Sequence, residues 1–197
     1  MGDLFELKVI DAGADTLYGT DEFNALTQRR IENIERAYND NDGRMIVSSG
    51  DDLYFYGPAQ YILNEFTAAM RYTRIAAMQD TPDVLCVCLV VGVSNLETRR
   101  LMEAWRNSSG KYNGELRDQE RFGYCLKETG ISFGRLPVER FWSHGRITGT
   151  RFIDDESALP NPPKDILIGH ANYCIGTDCK IRLTEATRRK VAASEFA

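Results

Sequence analysis

The feature that most restricts the fold is the apolar run from Val84 to Val93, with the sequence VLCVCLVVGV. A strand that is apolar on both of its faces belongs in the middle of a sheet that other elements cover on both sides. The run is far too short to cross a bilayer. A chain of 197 residues with 43% apolar residues is long enough to bury such a strand without disulfide or metal staples.

Helical and extended patterns alternate around this strand. The predicted helices span residues 21–39, 59–71, 95–106, 116–128 and 176–190. The other predicted strands span residues 5–10, 45–47, 53–56 and 165–170. This alternation predicts an α/β fold with a mostly parallel central sheet flanked by helices, in a single domain covering residues 1–197.

Charge and cysteine usage exclude several classes of protein. The 24 basic and 29 acidic side chains give a net charge of −5, so no general surface for nucleic acid is predicted. The five cysteines do not form the paired CxxC array of a structural zinc site, and Cys86 and Cys88 are expected to be small core residues. No basic segment followed by a long apolar one opens the sequence. We therefore expect a reduced, soluble, cytoplasmic protein without a membrane span.

Two predicted strands are followed or closed by side chains that can bind a metal ion. Asp51 and Asp52 come after the strand at 45–47, and His170 closes the strand at 165–170. Ligands collect at the carboxyl ends of strands in open α/β sheets, and carboxylates with one imidazole suit Mg²⁺ or Mn²⁺. The alternatives are a solvated turn for the aspartates and a hydrogen-bonded strand end for the histidine.

The start of the last predicted helix has the features of a phosphate site. Gly176 lies at its first turn, and Lys180 lies one turn further on. A helix N-terminus offers unpaired N–H groups and a positive dipole end, and a glycine lets a phosphate approach the backbone closely. The lysine adds a full positive charge. The alternative is a helix that begins with a glycine and carries a surface lysine.

Several motifs occur in the order found in one family. Residues 166–183, with the sequence ILIGHANYCIGTDCKIRL, resemble the closing His-Ala-Asn, Gly and Lys motif of the nucleotide-diphospho-sugar transferases, which are glycosyltransferases of the GT-A fold. Weaker matches of the same kind lie at residues 19–24, at 46–55, at 86–91 with Thr98, Arg99 and Trp105, at 117–119, and at Leu136, Pro137 and Phe141. The resemblance covers roughly residues 15–190 and implies a GT-A-like fold.

The resemblance implies a donor site with a divalent metal ion. Asp52 matches the second aspartate of the family's Asp-x-Asp motif, and His170 matches a further protein ligand of the Mn²⁺ or Mg²⁺ ion. Gly176 and Lys180 match the residues that contact the donor diphosphate.

Other matching residues are implied to face the sugar. Asp118 and Gln119 match an Asp-Gln helix start that faces the sugar or the acceptor, and Asn172 is expected to line the same pocket. Trp142 is a candidate for stacking on an acceptor sugar, with a place in the core as the equal alternative.

The sequence departs from the family pattern in two places. Gly50 or Ser49 stands where the first aspartate of Asp-x-Asp is usual, which leaves Asp51 as the candidate substitute ligand. The segment before Met45 is shorter than such folds normally have, so a GT-A-like fold without the first strand–helix unit is expected.

The resemblance implies a metal-dependent glycosyltransferase. It would move a hexose or pentose from a nucleotide-diphosphate-sugar donor to a glycan, protein or lipid acceptor that the sequence does not identify. One alternative is a related domain that has lost catalysis and binds a sugar or a partner protein. The other is a metal-dependent phosphohydrolase that uses water as the acceptor.

Overall fold

A computed structural model describes residues 20–50, 52–80, 85–111, 117–143, 155–171, 174 and 176–194. The helices in these ranges are α1 (Asp21–Asp40), α2 (Ala59–Ala69), α3 (Leu96–Asn107), α4 (Asp118–Thr129) and α5 (Thr177–Ser194). The strands are β1 (Met45–Ser49), β2 (Leu53–Phe55), β3 (Ile75–Gln79), β4 (Leu85–Val93), β5 (Gly134–Arg135), β6 (Phe141–Ser143) and β7 (Ile168–His170). The α/β class is confirmed, while the predicted strand at residues 5–10 lies outside the described residues.

The strands form two mixed sheets. Sheet A has the order β1-β4-β3-β5, and sheet B has the order β2-β7-β6. β4 runs antiparallel to both of its neighbours, β2 runs antiparallel to β7, and the β3–β5 and β6–β7 pairs are parallel. The prediction of a mostly parallel sheet is therefore not confirmed. The physical reason is the short connection from Gln79 to Leu85, since a parallel pair needs a crossover of a dozen or more residues.

β4 is the central strand, as its apolar sequence predicts. One face packs against α1, α3 and α4, and there the rings of Trp105 and Phe122 meet edge to face with their centroids 4.8 Å apart. The other face packs against Ile62 and Phe66 of α2 and against Ile168 of sheet B. The strand is thus covered on both sides, which explains why it carries no polar alternation.

A bulge interrupts β4 in the middle. Ala77 pairs with Val90, but the next residue of β3, Met78, pairs with Cys86, so residues 87–89 have no partner on β3. The alternation of faces also breaks there, because Cys88 and Leu89 both belong to the α2 side of the core. Bulges of this kind redirect side chains and are common beside functional sites.

Local signals set the helix ends that the sequence predicts. The Thr20 hydroxyl accepts a hydrogen bond from the Phe23 N–H at 3.2 Å and caps α1. Asn95 caps α3 in a reciprocal capping box with Thr98. Gly130 ends α4 with φ of 68°, a left-handed conformation that favours glycine.

Candidate functional site

The pairing of β2 with β7 brings Asp52 beside His170. Leu53 lies opposite His170 in the antiparallel register, and the Ala171 N–H donates to the Asp52 carbonyl oxygen at 2.9 Å. The side chains follow the backbone, with Oδ1 of Asp52 3.1 Å from Nε2 of His170. Two residues separated by most of the chain therefore lie in direct contact, at the junction where β7 ends.

Lys180 completes this group from the first turn of α5. Its Nζ donates to Oδ2 of Asp52 at 2.8 Å. Gly176 precedes the helix with φ of +86° and accepts a hydrogen bond from the Lys180 N–H at 3.1 Å. Among the described residues, a Cβ atom at Gly176 would meet no neighbour within 4 Å, so these residues leave the space over this backbone open. Asp52, His170 and Lys180 are called the Asp52 group below.

The Asp52 group is a set of charges stabilised by one another. Burial by itself would raise the pKa of Asp52, but the hydrogen bond from His170 and the charges of His170 and Lys180 outweigh it and hold that pKa well below its usual range. Burial would lower the pKa of His170, whereas the neighbouring Cys86 and Asp52 raise it to about 10. The side chain of Asp52 is only 13% exposed, so solvent screens these interactions weakly.

The other ring nitrogen of His170 faces two thiols. Sγ of Cys86 and Sγ of Cys88 each lie 3.3 Å from Nδ1, and the two sulfur atoms are 2.6 Å apart. Both cysteines are buried, as the sequence predicts, but their placement as plain core residues misses this contact. Residues i and i+2 of a strand share a face, so the Cys-x-Cys spacing was the available signal.

The predicted sugar-facing pair lies at the start of α4. Oδ1 of Asp118 accepts the Gln119 N–H at 3.0 Å, and Oδ2 lies 3.6 Å from Nη1 of Arg30. Nη2 of the same arginine donates to the carbonyl oxygen of Val87, between the two cysteines. The contacts described for Asp118 thus lead to the bulge of β4 and not to the Asp52 group.

A further buried carboxylate lies near His170. The Ser143 hydroxyl donates to Oδ1 of Asp80 at 3.1 Å, and Ser143 is the register partner of His170 in the β6–β7 pair. The charge of Asp80 also acts on the Cys86 thiol. Sequence reasoning missed Asp80, because the strand that it follows was not predicted.

Three other predicted site residues are not part of the Asp52 group as the structure describes it. Asp51 and Asn172 lie outside the described residues. Trp142 is 1% exposed and packs among Leu159, Ile166 and Leu183. Its place in the core leaves no ring face for an acceptor sugar.

The contact between Asp52 and His170 is compatible with a hard divalent ion. Two adjacent ligands of an octahedral ion at about 2.1 Å are about 3 Å apart, and Oδ1 and Nε2 are separated by 3.1 Å. One carboxylate and one imidazole are few ligands for such an ion. Mg²⁺ sites, however, commonly combine one or two carboxylates with substrate phosphates and water.

One surface depression of the described residues lies away from the Asp52 group. It has a volume of about 650 Å³ and is lined by residues that include Arg71, Arg74, Arg100 and Thr129. No member of the Asp52 group lines it. The candidate site is therefore identified by its arrangement of charges.

Comparison with known families decides the assignment. A model of the nucleotide-diphospho-sugar transferase family matches residues 4–183. The chain belongs to this family. The matched segment contains Asp52, His170 and Lys180, so the family assignment and the observed cluster of charges concern the same part of the chain.

Family membership indicates a transferase with a nucleotide-diphospho-sugar donor. Searches among curated proteins and among solved structures found no match. None of the helices in the described ranges has the length and apolar character needed to span a membrane.

Proposed function

We propose that this transferase is a metal-dependent glycosyltransferase, which moves a hexose or pentose from a nucleotide-diphospho-sugar to an acceptor. The observation that carries the proposal is the meeting of Asp52, His170 and Lys180 within hydrogen-bond distance, in a chain of this family. The group combines an anion that suits a metal ion with a cation that suits a phosphate. A donor diphosphate with a bound metal ion needs both.

The ion would be Mn²⁺ or Mg²⁺, held by Asp52 and His170, with Asp51 as a further candidate ligand. When bound, it supplies Lewis-acid stabilisation and a template for the leaving diphosphate. Asp52 is prepared for this role because it is ionised throughout the physiological pH range. The 3.1 Å contact with His170 is the structural support for the ligand pair.

Lys180 and Gly176 would bind the donor diphosphate. The Lys180 side chain is one-third exposed and carries its charge on a flexible stem, so it can turn from Asp52 toward a phosphate oxygen. The open backbone at Gly176 and the positive end of α5 lie one turn away. Together they would stabilise the negative charge that develops on the leaving group.

Asp118 and Gln119 would act on the sugar or the acceptor, and Asn172 would line the same pocket. The support for Asp118 is its link through Arg30 to the Val87 carbonyl, which belongs to the strand segment beside His170. This link connects the start of α4 to the strand that carries Cys86 and Cys88.

A binding domain without catalysis is a second candidate, favoured by one observation. Gly50 stands at the position of the first metal-binding aspartate, and its N–H donates to the Cys88 carbonyl at 2.7 Å. A residue without a side chain supplies no ligand there. Such a domain would bind a nucleotide-sugar and transfer nothing.

The test is a thermal-shift screen of nucleotide-sugars with and without Mn²⁺, followed by a transfer assay with the compound that binds. A donor at a hundred times its Kd stabilises the folded state by about 2.7 kcal/mol, so a metal-dependent rise in Tm is expected. Transfer to an acceptor supports the glycosyltransferase. Binding without turnover supports the binding domain, and cleavage of the donor diphosphate by water supports the phosphohydrolase. A screen in which no nucleotide-sugar raises the Tm contradicts the proposal.

A further inference from the structure

The face of His170 that points away from Asp52 meets a pair of thiols that the proposed sugar transfer does not use. Cys86, Cys88 and His170 are all buried, and their ligand atoms lie within 4.8 Å of one another. The three residues come from two different sheets. The cysteines come from the bulge of β4 in sheet A, and the histidine comes from β7 in sheet B.

We propose that Cys86, Cys88 and Nδ1 of His170 bind one thiophilic metal ion, Zn²⁺ being the occupant that this ligand set fits best. Two thiolates and one imidazole are a set that zinc takes when it keeps a fourth position for water or another ligand. Hard ions such as Mg²⁺ prefer oxygen ligands, so the two sulfur atoms select against them.

The distances fit with a small adjustment. Tetrahedral zinc, with bonds of about 2.3 Å to sulfur and about 2.0 Å to nitrogen, places each sulfur about 3.6 Å from the nitrogen and the two sulfurs about 3.8 Å apart. The observed separations are 3.3 Å for both sulfur–nitrogen pairs and 2.6 Å for the sulfur pair. Rotation of the two cysteine side chains about their Cα–Cβ bonds would open the sulfur pair by the remaining ångström.

The bulge explains why both thiols reach the same nitrogen. Residues 87–89 lack a partner on β3, so this part of β4 can bend toward sheet B. Two backbone carbonyls of this segment have donors outside β3, because Arg30 donates to the Val87 carbonyl and the Gly50 N–H donates to the Cys88 carbonyl. Packing of two small side chains does not require a bulge that is held by hydrogen bonds at this point. Placement of two metal ligands on one nitrogen does benefit from it.

Asp52 has a defined role in this site without touching the ion. It accepts a hydrogen bond from the Nε2–H of His170. A metal ion that binds Nδ1 therefore displaces only the Nδ1 proton of the ring, and the Nε2–H remains donated to Asp52. A carboxylate that orients a metal-bound histidine in this way is the usual outer partner of zinc sites. Met78, whose Sδ lies 4.0 Å from Sγ of Cys88, adds a further soft atom beside the cluster.

The inference differs from the proposed donor site in the nitrogen that it uses. A neutral imidazole has one lone pair, so a zinc ion on Nδ1 and a hard ion on Nε2 exclude each other at His170. With zinc bound, His170 would no longer be a ligand of the donor-site ion and would instead position Asp52. The Mn²⁺ or Mg²⁺ ion of the donor site would then be held by Asp52 and Asp51. The two sites are tested separately, because zinc binding needs no nucleotide.

The experiment is a titration of the reduced full chain with Co²⁺ in the absence of nucleotide, followed by displacement with Zn²⁺. The expected result is one equivalent of bound Co²⁺ with a thiolate-to-metal charge-transfer band, which Zn²⁺ abolishes and excess Mg²⁺ leaves intact. Cys86→Ser and Cys88→Ser should each weaken the band, and the double variant should lose it. Cys125→Ser and Cys179→Ser are matched controls that should keep it.

The variant Asp52→Asn tests whether Asp52 is the hydrogen-bond partner of His170 or a ligand of the zinc ion itself. It should keep the charge-transfer band while weakening Zn²⁺ binding by about 10- to 100-fold. A wild-type protein without the band overturns the proposal, and this reading does not depend on whether any variant folds. A band that survives in the double cysteine variant also overturns it, as does displacement of Co²⁺ by Mg²⁺.

Discussion

Asp52 carries more of the site than any other residue, because its two carboxylate oxygens have two different cationic partners. Oδ1 faces His170, and Oδ2 faces Lys180. The group is largely buried around this carboxylate, so removal of the Asp52 charge would leave two cations without compensation in a poorly screened place. This arrangement makes the acid stability of the fold depend on Asp52.

We predict that the free energy of unfolding of Asp52→Asn falls less steeply than that of wild type as the pH is lowered below 5. The pKa of Asp52 in the folded state lies below the value of about 3.9 expected in the unfolded chain. Its contribution to the free energy of unfolding is therefore complete above about pH 5 and is lost as the pH falls toward the folded-state pKa. Urea unfolding at several pH values should show wild type and variant converging as the pH falls from 5 to 2. A constant difference, or the same behaviour in the exposed-residue control Asp42→Asn, would contradict this.

Tyr38 is a second residue whose side chain affects the free energy of unfolding, through its buried hydroxyl. Tyr38 is fully buried, and its hydroxyl has no hydrogen-bond partner among the described residues. A buried polar group without a partner costs about 1–3 kcal/mol. We therefore predict that Tyr38→Phe raises the free energy of unfolding by about 1 kcal/mol in chemical denaturation.

Gly92 provides the matched test of that packing. A Cβ atom there would lie 2.5 Å from the Tyr38 hydroxyl oxygen, so Gly92→Ala should destabilise the protein. Tyr38→Phe should recover part of the loss in the double variant, since the two sites share one contact. A clear destabilisation by Tyr38→Phe alone would show that the hydroxyl is satisfied.

At the scale of elements, the start of α4 is connected to the site through α1. Asp118 pairs with Arg30 of α1, and Arg30 in turn holds the β4 bulge. Asp118 also lies in the first turn of its helix, where a negative charge favours the dipole. A structural role and a chemical role therefore make different predictions for this residue.

We predict that Asp118→Asn lowers turnover by about tenfold or more while changing donor affinity little. That pattern marks a group acting mainly in the transition state. Steady-state kinetics with calorimetric donor binding measures both quantities. Asp21→Asn, which changes an acid in the first turn of α1, is the control for a dipole effect. Unchanged turnover in Asp118→Asn would leave the residue as the ion-pair partner of Arg30 alone.

Among the described residues, the sequence predicts the five helices and the strands β1, β2, β4 and β7, and it does not predict β3, β5 and β6. α1, α3, α4, α5 and β4 have sustained periodicity or a long apolar run, which local patterns can carry. β3 was missed because its sequence, Ile-Ala-Ala-Met-Gln, has small residues and no alternation, and β5 has only two residues. Because β3 was not predicted, the sequence analysis could not use the short connection from Gln79 to Leu85, which makes β3 and β4 antiparallel.

The same limit applies to the site. The proximity of Asp52, His170 and Lys180 was accessible through the family resemblance, since each stands in a recognisable motif. The Cys-x-Cys spacing shows that Cys86 and Cys88 share a face, but their contact with His170 depends on a bulge in β4 and on packing of sheet B against sheet A, which leave no local pattern. Asp80 and Arg30 likewise reach their places through tertiary packing.

On the scale of the whole molecule, the candidate site forms where the two sheets and α5 meet. Sheet A supplies the cysteines of β4, sheet B supplies His170 with Asp52 beside β2, and α5 supplies Lys180. These residues are distant in the sequence, so only the folded chain assembles them. We propose that this junction binds a nucleotide diphosphate with a metal ion.

The most direct test of that claim is calorimetric titration of a nucleoside diphosphate, such as UDP or GDP, with Mn²⁺ present, into wild type, Lys180→Ala and Arg188→Ala. Arg188 lies on the same helix, is exposed and pairs with Glu185, so its loss controls for charge. Loss of a charge-assisted hydrogen bond costs about 1.5–3 kcal/mol, so Lys180→Ala should bind about 10- to 100-fold more weakly, and Arg188→Ala should bind like wild type. Equal affinities of wild type and Lys180→Ala would contradict the account.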